Sequence, residues 1–419
     1  MREAKLVVRR TIRTFFAVVI GMATVAGTRE FASAQDTIDP ADWSAVEEAA
    51  QGQTVFFNAW GGSEAINDYI EWASGRLEEE YGVTLTHVKL GDTAEAVSRV
   101  VAEKAAGREE GGSVDLIWIN GENFASMKEQ DLILAPDWTT KLPNWSLVDT
   151  EGQPTILTDF TIPTEGLESP WGGAKLVFFH DSAVEQDFLP DNASDLLDWA
   201  KDNPGRFSYP APPDFIGSSF LKQLLIELTD DRAKLLEPVD PATVANDLQP
   251  LFDYLDELHP VLWRQARAFP ENYPDMRQKL ADGELDIIFA FNPGEASAAI
   301  NAGELPDTVR SFTFSGGTLG NTHFLTVPFN ANAKAGALVA ANFLLSPEAQ
   351  ARKQDPQYWG DPTVLNVDAL PEADRALFDA IDLGEATLAP DELGPRLDEP
   401  HPSWMRAVEE AWTARYGAG

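Results

Sequence analysis

The segments Trp60-Gly61-Gly62-Ser63, Asn120-Gly121-Glu122-Asn123 and Trp171-Gly172-Gly173 set glycine beside aromatic, amide or acidic side chains. Glycine lets a backbone approach a bound molecule closely, and tryptophan offers a large, stiff contact face. An indole ring attracts a cation through its quadrupole, and Glu122 is a natural counter-charge for one. In Pro210-Ala211-Pro212-Pro213-Asp214-Phe215-Ile216-Gly217-Ser218-Ser219, prolines stiffen a turn that opens a helix. Free N–H groups at Gly217 and Ser218 suit an anion or a carbonyl, while Asp214 is a second counter-charge for a cation. Asn292 in Asn292-Pro293-Gly294-Glu295 follows an apolar run in the same manner, and Trp359 supplies a third indole face. The candidate ligand-binding residues are therefore Trp60, Gly61, Gly62, Asn120, Glu122, Asn123, Trp171, Gly172, Asp214, Gly217, Ser218, Asn292 and Trp359. Plain structural roles compete with these: helix capping by Asn120, Ser218 or Ser219, and core packing by Trp60 or Trp359. The chemistry expected is non-covalent grip on a small molecule.

Groups for covalent catalysis are missing as motifs. There is no G-x-S-x-G elbow, phosphate-cradling P-loop, H-E-x-x-H pair or EF-hand loop. The histidines at 87, 180, 259, 323 and 401 never fall at metal-ligand spacing, so no metal and no cofactor is expected. Acid pairs are plentiful, and two carboxylates suffice for glycoside hydrolysis. A secreted carbohydrate-active hydrolase is thus the alternative to a non-enzymatic binding protein.

The elements that must position these loops alternate between strand and helix. Thr54–Trp60 is β-branched and aromatic and reads as a buried strand. From the N-cap Ser63, Ile66, Tyr69, Ile70, Ala73 and Leu77 recur at helical spacing. Thr84–Leu90 alternates as a strand, a helix carries Val97, Val100 and Val101, and Val114–Asn120 is a third strand. Such alternation implies a parallel sheet, at whose carboxyl edge ligands bind. Residues 121–170 read as loop-rich. A second set follows: strand Lys175–His180, helix Asn192–Asp202, a helix from Gly217 to Leu228, helix Asp247–His259 and a buried strand Leu285–Phe291. Strands at Arg310–Phe314 and Thr322–Phe329 and a helix over Ala333–Leu345 come after it. Two α/β sets suggest two lobes.

Arg9, Arg10 and Arg13 precede an apolar stretch, Phe15–Ala26, and Ala32-Ser33-Ala34 forms an A-x-A site. This is the pattern of a secretory signal peptide over 1–34 cleaved near Ala34, by the general or the twin-arginine route. No second long apolar run follows, so the exported chain is expected to be periplasmic and not membrane-embedded. The chain has no cysteine, which excludes disulfides, thiolate metal sites and an N-terminal lipid anchor. Its net charge is −37, which rules against nucleic acid as a partner. The acids are spread along the whole sequence, as in proteins with a solvated acidic surface suited to high external salt.

The runs Thr54–Gly62, Gly111–Phe124, Glu168–Ala174, Tyr209–Phe215 and Asn342–Gln350 resemble the periplasmic solute-binding proteins of ABC importers. The Trp-Gly-Gly and Asn-Gly-Glu-Asn segments resemble more narrowly the YnjB-like group, related to thiamine, iron and polyamine binding proteins. The resemblance implies an α/β, two-lobed, type II-like fold with a hinge between lobes. It implies lobe 1 from 35–180 and 313–419 with the C-terminal tail, lobe 2 from 181–312, and crossings near Phe179-His180-Asp181 and Arg310–Ser315. It further implies a monomer that delivers its ligand, a thiamine-like cation, to an ABC permease with its cytoplasmic ATPase.

Overall fold

The computed structural model describes residues 38–134, 137–184 and 188–417, so the expected export segment lies outside the described residues. Strand β1 (Thr54–Trp60) pairs in parallel with β2 (Thr84–Leu90), from Thr54↔Thr84 to Trp60↔Leu90, and with β3 (Leu116–Ile119). The crossover helix Glu64–Tyr81 starts where the Ser63 hydroxyl accepts from the Ile66 N–H, and ends at Gly82, whose φ of 65° is left-handed. It buries Ile66, Tyr69, Ile70, Ala73 and Leu77, the apolar stripe of the sequence. Helix Gly121–Glu129 follows β3 directly.

The segment expected to be loop-rich carries more strand than its prolines suggest. A short hairpin of β4 (Thr158–Asp159) and β5 (Ile162–Pro163) is followed by β6 (Glu168–Lys175). The Trp171-Gly172-Gly173 segment is therefore a strand, not a loop after one. It runs antiparallel to β10 (Thr318–Thr326), from Glu168↔Thr326 to Lys175↔Gly320, with a bulge between His323 and Phe324. Pro170, which has no N–H to donate, sits opposite Phe324 at that bulge. β10 also pairs antiparallel with β3 and parallel with β11 (Arg396–Leu397), so the expected parallel sheet is a mixed six-stranded one.

A second, antiparallel sheet has the order β8 (Ile287–Ala290), β7 (Val177–Asp181), β9 (Val309–Phe312). Each sheet has its own core. Phe57, Tyr69, Trp171 and the Ala-rich helix Lys334–Leu344 fill the first. Phe178, Phe207, Phe220 and Phe289 fill the second, with the Phe220 and Phe289 rings stacked at 4.9 Å. Helix Pro402–Tyr416 inserts Trp404, Val408 and Trp412 into that second core.

The chain passes from the first sheet to the second at Leu176, whose N–H donates to the Leu319 carbonyl at 2.8 Å. It returns between β9 and β10, and passes over again between β11 and helix Pro402–Tyr416. None of the described helices is long and apolar enough to cross a membrane.

Candidate ligand-binding cleft

The carboxyl ends of the three parallel strands open onto one cavity of about 240 Å³. Trp60 reaches it from β1, Gly91-Asp92-Thr93 from β2, and Asn120, Glu122 and Asn123 from β3. The opposite wall comes from the second sheet and its helices: Pro213 to Ile216, Tyr273, and Ala290 to Asn292 with Glu295. Trp118, His323, Trp359 and Asp361, with Ile66 and Ala174, line it on the first-sheet side.

Seven of the candidate residues are thus brought together: Trp60, Asn120, Glu122, Asn123, Asp214, Asn292 and Trp359. Asn120 begins helix Gly121–Glu129 without capping it through its side chain. The Gly121 N–H donates to the Asp159 carboxylate at 2.7 Å, and Asn120 lines the cavity. Trp359 is almost fully buried yet lines the cavity, its ring 5.6 Å from Trp118 and 5.1 Å from Trp171.

The other six are not among the lining residues, for physical reasons. Trp171 is fully buried and packs on Phe57, Tyr69, Trp118 and Trp359, so it backs the cavity's aromatic wall instead of forming it. Gly62 makes space for the Trp60 indole, which a β-carbon would meet at 2.2 Å, and Gly61 makes space for Lys89 at 2.6 Å. Gly217 lies against the Pro210 carbonyl, 1.9 Å from where its β-carbon would be. Ser218 is buried and donates to Glu409 at 2.7 Å. The helix start expected to hold an anion is already filled. Asp214 accepts there from the N–H groups of Ile216 and Gly217, at 2.9 and 3.0 Å.

Gly172 underlies a buried ionic cluster at the cavity floor. Asp361 accepts from the Lys353 ammonium and lies 3.0 Å from His323 Nε2. Burial alone would push the Asp361 carboxyl up, but His323 and Lys353 hold it below the usual range. A β-carbon on Gly172 would fall 1.8 Å from Asp361 Oδ2, 2.4 Å from His323 Nε2 and 2.7 Å from Lys353 Nζ. Gly172→Ala should therefore destabilise the fold by roughly 2 kcal/mol or more, the scale of overpacking in a tight core. A melting curve matching the parent's would refute this placement.

Sequence reasoning missed Asp92, Trp118, Phe215, Tyr273, His323 and Asp361. Asp92 was accessible to the same argument as the other loops, since Gly91-Asp92-Thr93 follows a strand. Trp118 and His323 lie inside strands, and only the register that brings β3 beside β10 reveals them.

The electrostatics of the lining are one-sided. It contains five carboxylates and no lysine or arginine. Glu295 pairs with Arg277 at 3.3 Å, and Asp361 with Lys353. Asp92, Glu122 and Asp214 have no ion pair among the described residues. Burial, with repulsion from Glu409 and Asp92, pushes the Glu122 carboxyl up to about 7, and burial raises Asp214 as well. Among the described residues no cluster of His, Asp and Glu could hold a metal ion.

A two-lobed α/β molecule with a cavity enclosed between its lobes defines a periplasmic-binding-protein architecture. Solved structures agree. The chain matches the spermidine/putrescine ABC transporter substrate-binding protein PotD of Streptococcus pneumoniae with a TM-score of 0.57 at 17% identity, covering 87% of this chain and 98% of that one. It matches AfuA of Actinobacillus pleuropneumoniae, with fructose-6-phosphate bound, with a TM-score of 0.61 at 14% identity, covering 88% and 99%. In sequence, it is 49% identical over 376 residues to protein YnjB of Escherichia coli K12, covering 90% of this chain and 94% of that one. Residues 73–376 match the family described as bacterial extracellular solute-binding protein, and the chain belongs to that family. It is thus an extracellular solute-binding protein, which binds a small solute. The hydrolase alternative falls, because the family is one of solute-binding proteins and not of enzymes.

Proposed function

We propose that this protein captures a small organic cation with a flat aromatic part, thiamine or a close relative, and delivers it to its permease. The observation that carries this is the cleft lining: three carboxylates without counter-ions facing indole rings, with no lysine or arginine. A cation over an indole gains about 0.5–2 kcal/mol according to its desolvation. A flat ring stacked on Trp60 or Trp359 adds roughly 0.5–1.5 kcal/mol beyond area burial. Asp214, seated on the helix start, gives an anionic group nothing to bind and a like charge to meet.

The lobes we assign are 38–175 with 318–397, and 177–312 with helix 402–416, which moves the first crossing a few residues before the expected limit at 180. Ligand favours the closed arrangement by the margin with which it binds that form more tightly. The protein acts as a monomer in the periplasm, after export through segment 1–34 and cleavage near Ala34. Calorimetry with thiamine, thiamine phosphate and a neutral sugar tests the ligand class. Thiamine should bind with a Kd of about 1 μM or tighter, and the sugar should give no heat. Silence from thiamine beside binding of the sugar or of an unrelated anion overturns the assignment.

A further inference from the structure

The two walls of the cleft meet at a pair of glycines. A β-carbon on Gly294 would lie 2.2 Å from the Gly360 carbonyl oxygen, 2.7 Å from its α-carbon and 2.8 Å from its carbonyl carbon. A β-carbon on Gly360 would lie 2.9 Å from the Gly294 carbonyl oxygen and 3.0 Å from its carbonyl carbon and α-carbon. Non-bonded carbons settle at about 3.5–4.0 Å. Neither position has space for a methyl group while the other backbone stays in place.

Neither backbone is free to yield. The Gly294 N–H donates to Asn292 Oδ1 at 3.0 Å, and its carbonyl accepts from Ala298 at 3.0 Å in the first turn of helix Glu295–Asn301. The Gly360 N–H donates to the Lys353 carbonyl at 3.0 Å, and Asp361 donates to the same carbonyl at 2.9 Å. Each glycine is thus tied to its own wall. Asn292 and Glu295 flank Gly294, Trp359 and Asp361 flank Gly360, and all four line the cavity. A polar bridge runs alongside, from Asn292 Nδ2 to the Trp359 carbonyl at 3.5 Å.

We propose that Gly294 and Gly360 are positioning residues for ligand capture: the walls close around the ligand because neither backbone carries a side chain where they meet. This rests on the capture reading above. A methyl group at 294 would hold the walls more than about 1 Å further apart, given ordinary carbon contact distances. The aromatic face at Trp359 and the polar groups at Asn292 would then no longer enclose the same small molecule.

Gly294 is the cleaner probe of the two. Its φ of −86° is one any residue adopts, and the three atoms nearest its β-carbon position all belong to Gly360. Gly360 has a φ of 87°, so a side chain there carries backbone strain of its own. The chain lacks cysteine, so the exposed pair Glu64→Cys and Glu271→Cys can carry spin labels on opposite walls without interference. Double electron–electron resonance then reads open and closed distances directly.

The parent should show a shorter, closed component, with or without added thiamine. Gly294→Ala should reduce that component by roughly tenfold or more, the scale of an overpacked contact. Gly294→Ser and Gly360→Ala should shift it the same way, and the control Gly316→Ala, with nothing within 4 Å, should match the parent. The unliganded Gly294→Ala protein should melt within a few degrees of the parent, since parting of the walls relieves the clash. A closed component that survives in Gly294→Ala overturns the proposal. So does a parent that never shows one, or a Gly294→Ala protein that melts far below the parent. A closed fraction in the parent that thiamine leaves unchanged overturns the ligand proposed above and leaves the glycine contact standing.

Discussion

Glutamine in place of Glu122 should weaken thiamine binding about tenfold or more at about pH 8, the scale of a lost hydrogen bond to a charged group. It should also flatten the pH dependence of binding. Glu122 lines the cavity without an ion pair among the described residues, and burial pushes its carboxyl up to about 7. A cation is attracted by the ionised form. Affinity in the parent should therefore rise as pH climbs through about 7, while Glu122→Gln should be nearly level. Stability of the unliganded protein runs the opposite way. Between its ordinary value of 4.5 and about 7, the native carboxyl holds a proton that the unfolded chain has released. Its contribution to stability is thus full below that window and lost as pH rises through it. Glu122→Gln should make the unliganded protein melt higher than the parent at about pH 8 while binding worse, a trade of stability against function. Isothermal titration and thermal melts at matched pH decide the matter. A variant with parental affinity and an unchanged pH profile would remove Glu122 from the site.

Methionine in place of Lys353 should destabilise the protein by about 3–5 kcal/mol, the usual result of leaving a buried charge unpaired. Lys353 is fully buried, and its ammonium donates to the Asp361 carboxylate and to the carbonyls of Asp361 and Pro362, at 3.2 and 3.0 Å. Removing it strands Asp361, which keeps only His323 as a partner of opposite character. The melting temperature should fall by about 4–6 °C for a chain of this size. The double variant Lys353→Met with Asp361→Asn should lose less than the single one, because no uncompensated charge stays buried. Thermal denaturation of both variants provides the check. A single variant that melts within a degree or two of the parent would show the pair to be dispensable, and a double variant that melts lower than the single one would show that a stranded charge is not the cause of the loss.

Much of the first lobe was legible because local and global signals agree there. The β1–helix–β2–helix–β3 run has clean periodicities, a Ser63 cap and a Gly82 stop, and it folds as read. Helices at 192–202, 217–228 and 333–345 appear within two residues of their expected limits. Failure came where pairing overrides composition. Glu168–Lys175 contains a proline and two glycines, which read as a loop, yet the buried strand β10 pairs with all of it but Trp171. Trp171 falls at the bulge, without a partner on β10, and its side chain packs into the core. Capping hid a second kind of error. No spacing in the sequence reveals that Asp159, distant in the chain, takes the Gly121 N–H, a contact that depends on which carboxylate the folded chain brings near. Asp214 is different: it directly precedes helix Phe215–Leu228 and caps it, a local signal that the sequence carries and that placing the helix start at Gly217 obscured.

The packing of helix Pro402–Tyr416 has a consequence for biogenesis. Trp404 and Trp412 complete a core whose other members begin at Leu176, and the Trp412 indole donates to the Tyr209 hydroxyl at 2.9 Å. Domains elsewhere fold as they leave the ribosome, amino-terminal part first. Here the second lobe cannot finish until residue 412 has been made and has docked. Until then Tyr209, Phe252 and Phe269 lack their covering helix, and the nascent chain presents an unfinished aromatic surface. That delay leaves the second lobe for longer in a state that a holding chaperone for unfolded chains can recognise.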